Sequence, residues 1–195
     1  MNREKQKLAT RQKIIDTAIV LFRAHGYDAV TTRQIAKEAG VAAGTVFSHF
    51  ADKHQLTKAI FHQQITSLIS GEPKGNNSPE SGLTYFSSQT ANLYQYYGRD
   101  RALSEAFLKN AFFEQAFFSE QLEGFVDDVA DRLATECPSL EKPQRRTIAT
   151  AWMGYYFFHL LQGLGGNQPS TEWHGKLMKQ CNDLLELVSD KSALP

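Results

Sequence analysis

The chain has 195 residues, 42% of them apolar and 11% aromatic, with 21 Lys and Arg balancing 21 Asp and Glu. That is enough apolar material for one or two domains with a real core, and it excludes a disordered chain. No run of eighteen apolar residues and no charged-then-apolar leader is present, so neither a membrane span nor a secretion signal is expected, and a cytoplasmic location is. The zero net charge conceals a split. Residues 1–62 carry 10 basic and 5 acidic side chains, while residues 63–195 carry 11 and 16, so a +5 first third is joined to a −5 remainder. Cys137 and Cys181 each sit in a helical pattern without CxxC or Cys/His spacing, which reads as buried thiols; no metal and no cofactor is expected.

The pattern is helical almost throughout. Ile15, Ala18, Ile19 and Phe22, widened by Ile14 and Leu21, predict an amphipathic helix over 11–25 stopped by Gly26, after which Tyr27 returns the chain to the core. Thr31 and Gln34 have capping-box spacing and open a second helix to about Ala39, ended by Gly40. A very short third helix follows from Ala42 or Ala43 to His49. Asp52 with Gln55 then caps a fourth that runs through Leu56, Ile60 and Ile65.

Residues 71–79, rich in Gly, Pro, Asn and Ser, read as a linker. Beyond them Leu83, Phe86, Thr90, Leu93 and Tyr97 trace a stripe ended by Gly98. Asp100 caps a helix carrying Leu103, Phe107 and Ala111. Leu122, Val126, Val129 and Leu133 trace another, closed by Pro138. Pro143 fits the first turn of a helix to about Gly163, and Leu177, Cys181, Leu184 and Val188 define the last. The expected fold is all-α: about nine helices, with an N-terminal three-helix helix-turn-helix domain at 8–68 and a C-terminal helical bundle at 69–195.

The segment from Thr31 to Lys53 carries the chemistry. Two short helices joined by a tight turn approach closely, which requires a small residue on the first and a glycine at the turn; Ala36 and Gly40 have that spacing. Ile35, Val41, Val46 and Phe50 would lock the pair onto the first helix. Thr32, Ile35-Ala36, Ala39-Gly40-Val41, Gly44-Thr45, Phe47, His49-Phe50, Lys53 and Leu56 together resemble the DNA-binding domain of the tetracycline-repressor (TetR) family of bacterial transcriptional regulators. Arg11, Ile14, Ile15, Ala18, Leu21-Phe22 and Gly26-Tyr27 extend the resemblance to about residues 8–68, with the motif at about 31–50.

The resemblance implies that Thr32 and Lys53 bind phosphates of a double-stranded DNA operator at helix N-termini, and that His49 meets another. It implies that the third helix enters the major groove with Ala43, Gly44, Thr45, Phe47 and Ser48 against base edges, helped by Arg33 and Gln34. Two departures stand out. Phe47 replaces the usual tyrosine and so lacks its phosphate-bonding hydroxyl. Residues 39–52 contain no Lys or Arg. The basic excess lies in Arg3, Lys5, Lys7, Arg11 and Lys13, among which Arg11, opening the first helix beside the motif, is the expected phosphate contact.

Of 22 aromatic residues, 17 lie beyond residue 68. With the effector that the resemblance implies, this surplus points to a cavity for an apolar or aromatic small molecule, lined by Phe86, Tyr94, Tyr97, Phe107, Asn110, Phe113, Trp152, Tyr156 and His159. Asn92, Gln95 and Gln115 are further candidates to orient a ligand. The 142–163 helix is apolar nearly all round and calls for burial on two sides. Pairing with the last helix, through Tyr155, Phe158, Leu161, Leu177, Cys181, Leu184, Leu185 and Val188, would build a two-fold homodimer, as reading a palindrome demands.

No nucleophile elbow, phosphate-cradling loop or HExxH appears, and Asp127, Asp128 and Asp131 read as solvated surface, so no enzyme is expected. The expectation is a ligand-responsive, dimeric repressor. The alternative is a constitutive DNA binder whose C-terminal domain only dimerises.

Overall fold

Several helices of the protein begin or end where a specific side chain or glycine satisfies backbone groups that the helix itself leaves unpaired. The computed structural model describes residues 3–69, 80–111 and 115–189, without the side chains at 69, 110, 111 and 115–121. Among these are nine helices: α1 (Arg3–His25), α2 (Thr32–Glu38), α3 (Ala43–His49), α4 (Lys53–Ile69), α5 (Gly82–Arg99), α6 (Arg101–Ala111), α7 (Gln115–Arg132), α8 (Lys142–Gly165) and α9 (Ser170–Ser189). The number and order agree with the sequence periodicity. The linker predicted at 71–79 lies outside the described residues.

The chain forms two units, one from residues 1–67 with 100–113, the other from 68–99 with 114–195. In the first, the α1 stripe of Ile14, Ile15, Ala18 and Phe22 is buried together with Ile35, Ala36, Val46, Phe50, Leu56 and Ile60. Gly26, at φ +82°, ends α1 in the left-handed region that glycine adopts without strain. Helix α1 begins eight residues before the predicted start, and its first two turns are exposed. With no apolar face there, periodicity could not reveal them. Helix α6 packs into this first unit although it lies beyond residue 68: Asp100 Oδ1 accepts the Leu103 amide (3.1 Å), and the Phe107 ring stacks on Phe61 with centroids 3.8 Å apart.

The second unit is held by aromatic packing. Helix α5 turns Tyr85, Phe86, Gln89, Thr90, Leu93, Tyr94 and Tyr97 inward. Phe86 meets Trp152 of α8 at 5.2 Å, Tyr94 stacks on Tyr156 at 5.0 Å, and Trp173 of α9 approaches the edge of Tyr94 at 5.8 Å. Such paired rings contribute about 0.5–1.5 kcal/mol each beyond their burial. The Tyr94 hydroxyl donates to the Tyr156 carbonyl (2.8 Å), so its polar end is satisfied inside the core. Asp131 and Asp127 are not merely solvated: they pair with Lys142 and Arg146 at 2.8 Å each. These pairs are about half exposed, so water screens them and they add little to the stability of the fold. Cys137 and Cys181 are both buried and free. Cys181 lies on α9, its thiol pushed up to about 12 by burial, but Cys137 lies in the turn after α7 and not in a helix.

Two contacts fix how the elements of this unit meet. The Glu136 carboxylate, from that same turn, accepts the amides of Gly82 (3.2 Å) and Leu83 (2.8 Å) and so caps α5 from outside its own segment. Burial pushes the Glu136 carboxyl up, but these amides and the Thr135 and Ser81 hydroxyls outweigh it and hold it below its ordinary value. At the α8–α9 crossing Gly163 lies flat against Trp173: a Cβ there would fall 2.1 Å from ring atom Cε2.

Gly163→Ala should therefore cost at least about 2–3 kcal/mol and lower the melting temperature by roughly 5–10 °C in calorimetry. Because the Glu136 carboxyl titrates lower when folded, its contribution is present above the unfolded carboxyl range and lost as pH falls through the folded value. The melting-temperature gap between the parent and Glu136→Gln should accordingly narrow as pH is taken from about 6 to about 3.

Candidate nucleic-acid interface

Helix α2 opens on Thr31, whose Oγ1 accepts the Gln34 amide (3.2 Å) while Gln34 Oε1 accepts the Thr31 amide (2.7 Å), completing the predicted capping box. It closes on Gly40 at φ +62°. There the Val41 amide donates to the Ala36 carbonyl (3.0 Å) and the Gly40 amide to that of Lys37 (3.1 Å), the paired bonds of a Schellman turn. A residue with a Cβ is strained at that φ, so glycine allows α3 to begin three residues later against the buried Ala36. The result is a helix-turn-helix with a fixed crossing.

Burial divides α3 into two faces. Val46 is buried and Phe50, just beyond, is too; Ala43, Gly44, Phe47 and Ser48 are exposed. The Phe47 ring stands half exposed, at 50%, among the few large apolar side chains left in water. Ser48 Oγ donates to the Thr45 carbonyl (2.7 Å), which directs its lone pairs outward, and Thr45 itself is half buried. A Cβ built on Gly44 meets no atom of the chain within 4 Å, and its φ is not in the left-handed region. Nothing inside the protein calls for that glycine.

Several predicted contacts find other employment. Gln34 spends its side-chain oxygen on the cap, and both Gln34 and Arg33 are exposed. Thr32 lies half buried in the first turn of α2. The Lys53 ammonium donates to the carbonyls of Tyr27 (2.8 Å) and Val30 (3.1 Å), with Asp28 at 3.5 Å, and lies 4.1 Å from the centre of the Tyr27 ring. It clamps the α1–α2 connection to the start of α4. Arg11 rests its guanidinium 4.8 Å from the Phe50 ring centre, joining α1 to the end of the motif. His49 is half buried; burial first, then the positive charges of Lys7 and Arg11, hold its imidazole below the ordinary value.

The candidate ligand residues divide between the units. Phe86, Tyr94, Tyr97, Trp152, Tyr156 and His159 all lie buried in the second, where burial raises the Tyr94, Tyr97 and Tyr156 hydroxyls well above the ordinary phenol range. Phe107 belongs to the first unit, on Phe61. The side chains of Asn110, Phe113 and Gln115 lie outside the described residues. Asn92 and Gln95 are exposed, being on the outer face of α5. His159 Nε2 pairs with Gln180 Oε1 at 2.9 Å, a part-buried bond between α8 and α9. The sequence reading overlooked Gln89: it is buried on the α5 stripe, and its Oε1, like the indole N–H of Trp152, has no hydrogen-bond partner among the described residues. A glutamine three residues after Phe86 on an otherwise apolar face was the available signal.

Of the residues proposed to join two copies, Leu177 and Cys181 are fully buried within the chain, because that side of α9 packs on its own core. Tyr155, Leu184, Leu185 and Val188 are half buried. Phe158 and Leu161 on α8 and Leu187 on α9 are exposed, at 51%, 49% and 64%.

A glycine-turned helix pair with an uncharged outward face defines a helix-turn-helix protein. Residues 14–60 match the bacterial regulatory proteins of the tetR family. A transcriptional repressor, KstR of Rhodococcus jostii (strain RHA1), is 28% identical over 143 residues, which cover 72% of this chain and 65% of that protein, just under two thirds of its length. The fold is that of a TetR transcriptional regulator from Rhodococcus sp. RHA1 (TM-score 0.67, 21% identity, 91% of this chain and 96% of that one). It is shared by FadR, a TetR-family transcriptional repressor of Thermus thermophilus solved with lauroyl-CoA (TM-score 0.61, 19% identity, 90% and 93% covered). The chain thus carries, over residues 14–60, a domain of the tetR family of bacterial regulatory proteins.

Lys53→Met keeps the aliphatic stem but removes the clamp. It should lower the melting temperature, at a cost of about 1.5–3 kcal/mol, while leaving the slope of log affinity against log salt for duplex DNA unchanged. Loss of a phosphate contact would instead flatten that slope by about one unit per reading head.

Proposed function

We propose that the protein is a transcriptional repressor that binds a palindromic double-stranded DNA operator as a homodimer and is released by a small apolar or aromatic effector. The observation that carries the DNA reading is Gly44. An exposed glycine inside a helix costs about 0.5–1 kcal/mol relative to alanine, and nothing in the chain occupies the space its missing Cβ leaves. Gly124, Gly154 and Gly175 are equally open, so what marks Gly44 is its neighbours: Ala43, Thr45, Phe47 and Ser48 present small, uncharged and apolar groups suited to base edges and thymine methyls approaching from outside. Arg33, exposed on α2, is the cation proposed to read a guanine, and Thr32 remains a phosphate contact in this proposal.

The homodimer reading is supported by Phe158, Leu161 and Leu187, with Tyr155, Leu184, Leu185 and Val188 beside them, as the surface for the same helices of a second copy. The effector reading is supported by the aromatic interior of the second unit and by the acyl-CoA held by the FadR neighbour. Gln89 Oε1, an acceptor, and Trp152 Nε1, a donor, are buried without a partner among the described residues and are the polar groups such a ligand would engage. Effector acts only through tighter binding to the DNA-incompetent state.

Gly44→Ala separates folding from reading. It should hold or raise the melting temperature, by up to about 1 kcal/mol of stability. In gel retardation with the DNA flanking the protein's own gene, it should weaken binding at least about tenfold, since a misfit of about 1–3 kcal/mol arises at each head. Unchanged binding by this variant would remove the proposed reading face.

A further inference from the structure

Two buried polar atoms of the second unit have nothing to bond. Gln89 is 4% exposed and Trp152 fully buried, yet Gln89 Oε1 and the Trp152 indole N–H lack a hydrogen-bond partner among the described residues. Both side chains neighbour Phe86, which precedes Gln89 by three residues on the inward face of α5 and whose ring meets that of Trp152 at 5.2 Å and that of Phe125 at 6.0 Å. The Thr90 hydroxyl, next along α5, is already given to the Phe86 carbonyl (2.7 Å). Methionine and phenylalanine would fill these two positions without stranding an atom, so the polar groups weaken the fold with no compensation inside it. A buried water typically makes about three hydrogen bonds, and the rings of Phe86 and Phe125 beside this pair offer none.

We propose that Gln89 and Trp152 form the head-group site for an uncharged effector, whose polar end gives a donor to Gln89 and an acceptor to Trp152, as a carboxamide or an alcohol does, and that ionised acids are refused. This rests on the effector reading and adds to it the charge class of the ligand. No Lys, Arg, Asp or Glu is among the buried residues of the described chain. An ionised carboxylate brought to Phe86 would therefore lose its water without gaining a cation, and its lone pairs would face those of Gln89 Oε1. Turning the Gln89 amide over would exchange acceptor for donor and add no charge.

The cations and imidazole borne by α7 and α8 already have partners. Arg132 lies over the Tyr85 ring, 4.3 Å from its centre and a turn of α5 before Gln89, where Glu80 and Asp128 oppose its effect on the same phenol. Lys142 and Arg146 pair with Asp131 and Asp127, and the Arg145 guanidinium donates to the carbonyls of Ala130 and Leu140. His159 is bonded to Gln180, and His174 of α9 to Ser87. Arg99 of α5 and Lys176 of α9 are exposed.

The test is isothermal titration calorimetry at about pH 7.5, where carboxylic acids are ionised, on the full chain and its Gln89→Met variant. The probes are primary carboxamides and the corresponding carboxylates, matched in pairs on alkyl and on fused-ring aromatic frames. Amides should bind at least about tenfold tighter than their carboxylates, and Gln89→Met should weaken amide binding by about tenfold while its melting temperature holds or rises. Methionine keeps the length of the side chain, so a lower melting temperature would show that the amide serves the fold and would overturn the site. So would carboxylates that bind as tightly as the amides, or an amide affinity unchanged in Gln89→Met; if those compounds also release duplex DNA in gel retardation, the effector reading stands without the uncharged site. No binding by either series would overturn both.

Discussion

The left-handed turn at Gly40 is the constraint on which the first unit depends. Its two backbone bonds, Val41 to Ala36 and Gly40 to Lys37, consume carbonyls that α2 would otherwise leave open, and they decide the direction in which α3 departs. That direction puts Val46 and Phe50 into the α1 core and Ala43, Gly44 and Phe47 into water. Were the turn one residue longer, α3 would rotate by about 100° and a different set of side chains would face outward. The reading face therefore follows from one backbone dihedral and two hydrogen bonds, while the burial beneath it supplies the energy.

Around this turn the structure uses polar groups twice over in the sense that local bonding competes with exposure. Gln34, Ser48 and Lys53 all have side chains long or polar enough to meet a partner outside the chain, yet Gln34 closes the α2 cap and Lys53 ties the 27–30 connection to the start of α4. A buried or half-buried carbonyl is costly to leave unpaired, so a nearby ammonium is drawn to it in preference to bulk water. What remains outward is nearly uncharged. The charge of the unit is concentrated instead on α1, on side chains that make no contribution to its core.

Much of this was legible in the sequence because the relevant signals are local. The Thr31–Gln34 cap, the Gly26 and Gly40 stops, the Asp100 cap and the apolar stripes each depend on residues within a few positions of one another, and each predicted element is present. The exposed start of α1 was not legible, having no apolar face to register. Nor was the role of Lys53, whose partners lie more than twenty residues back, or that of Glu136, which caps a helix more than fifty residues away. The division of α9 failed for a related reason: Leu177 and Leu184 share a stripe, but only packing determines that the first faces its own core and the second lies nearer the surface. The place of α6 beside Phe61 is likewise a tertiary contact that no periodicity contains.

The aromatic packing of the second unit has an optical consequence. The chain has two tryptophans, Trp152 and Trp173, and both are buried in that unit, one against Phe86 and the other between Tyr94 and Gly163. The first unit has none. Intrinsic indole emission therefore reports the α5–α8–α9 interior alone: it shifts when that interior is disturbed and stays silent when the helix-turn-helix unfolds by itself. Compared with far-ultraviolet circular dichroism, which weighs all helices alike, it separates the melting of one unit from that of the other without any label.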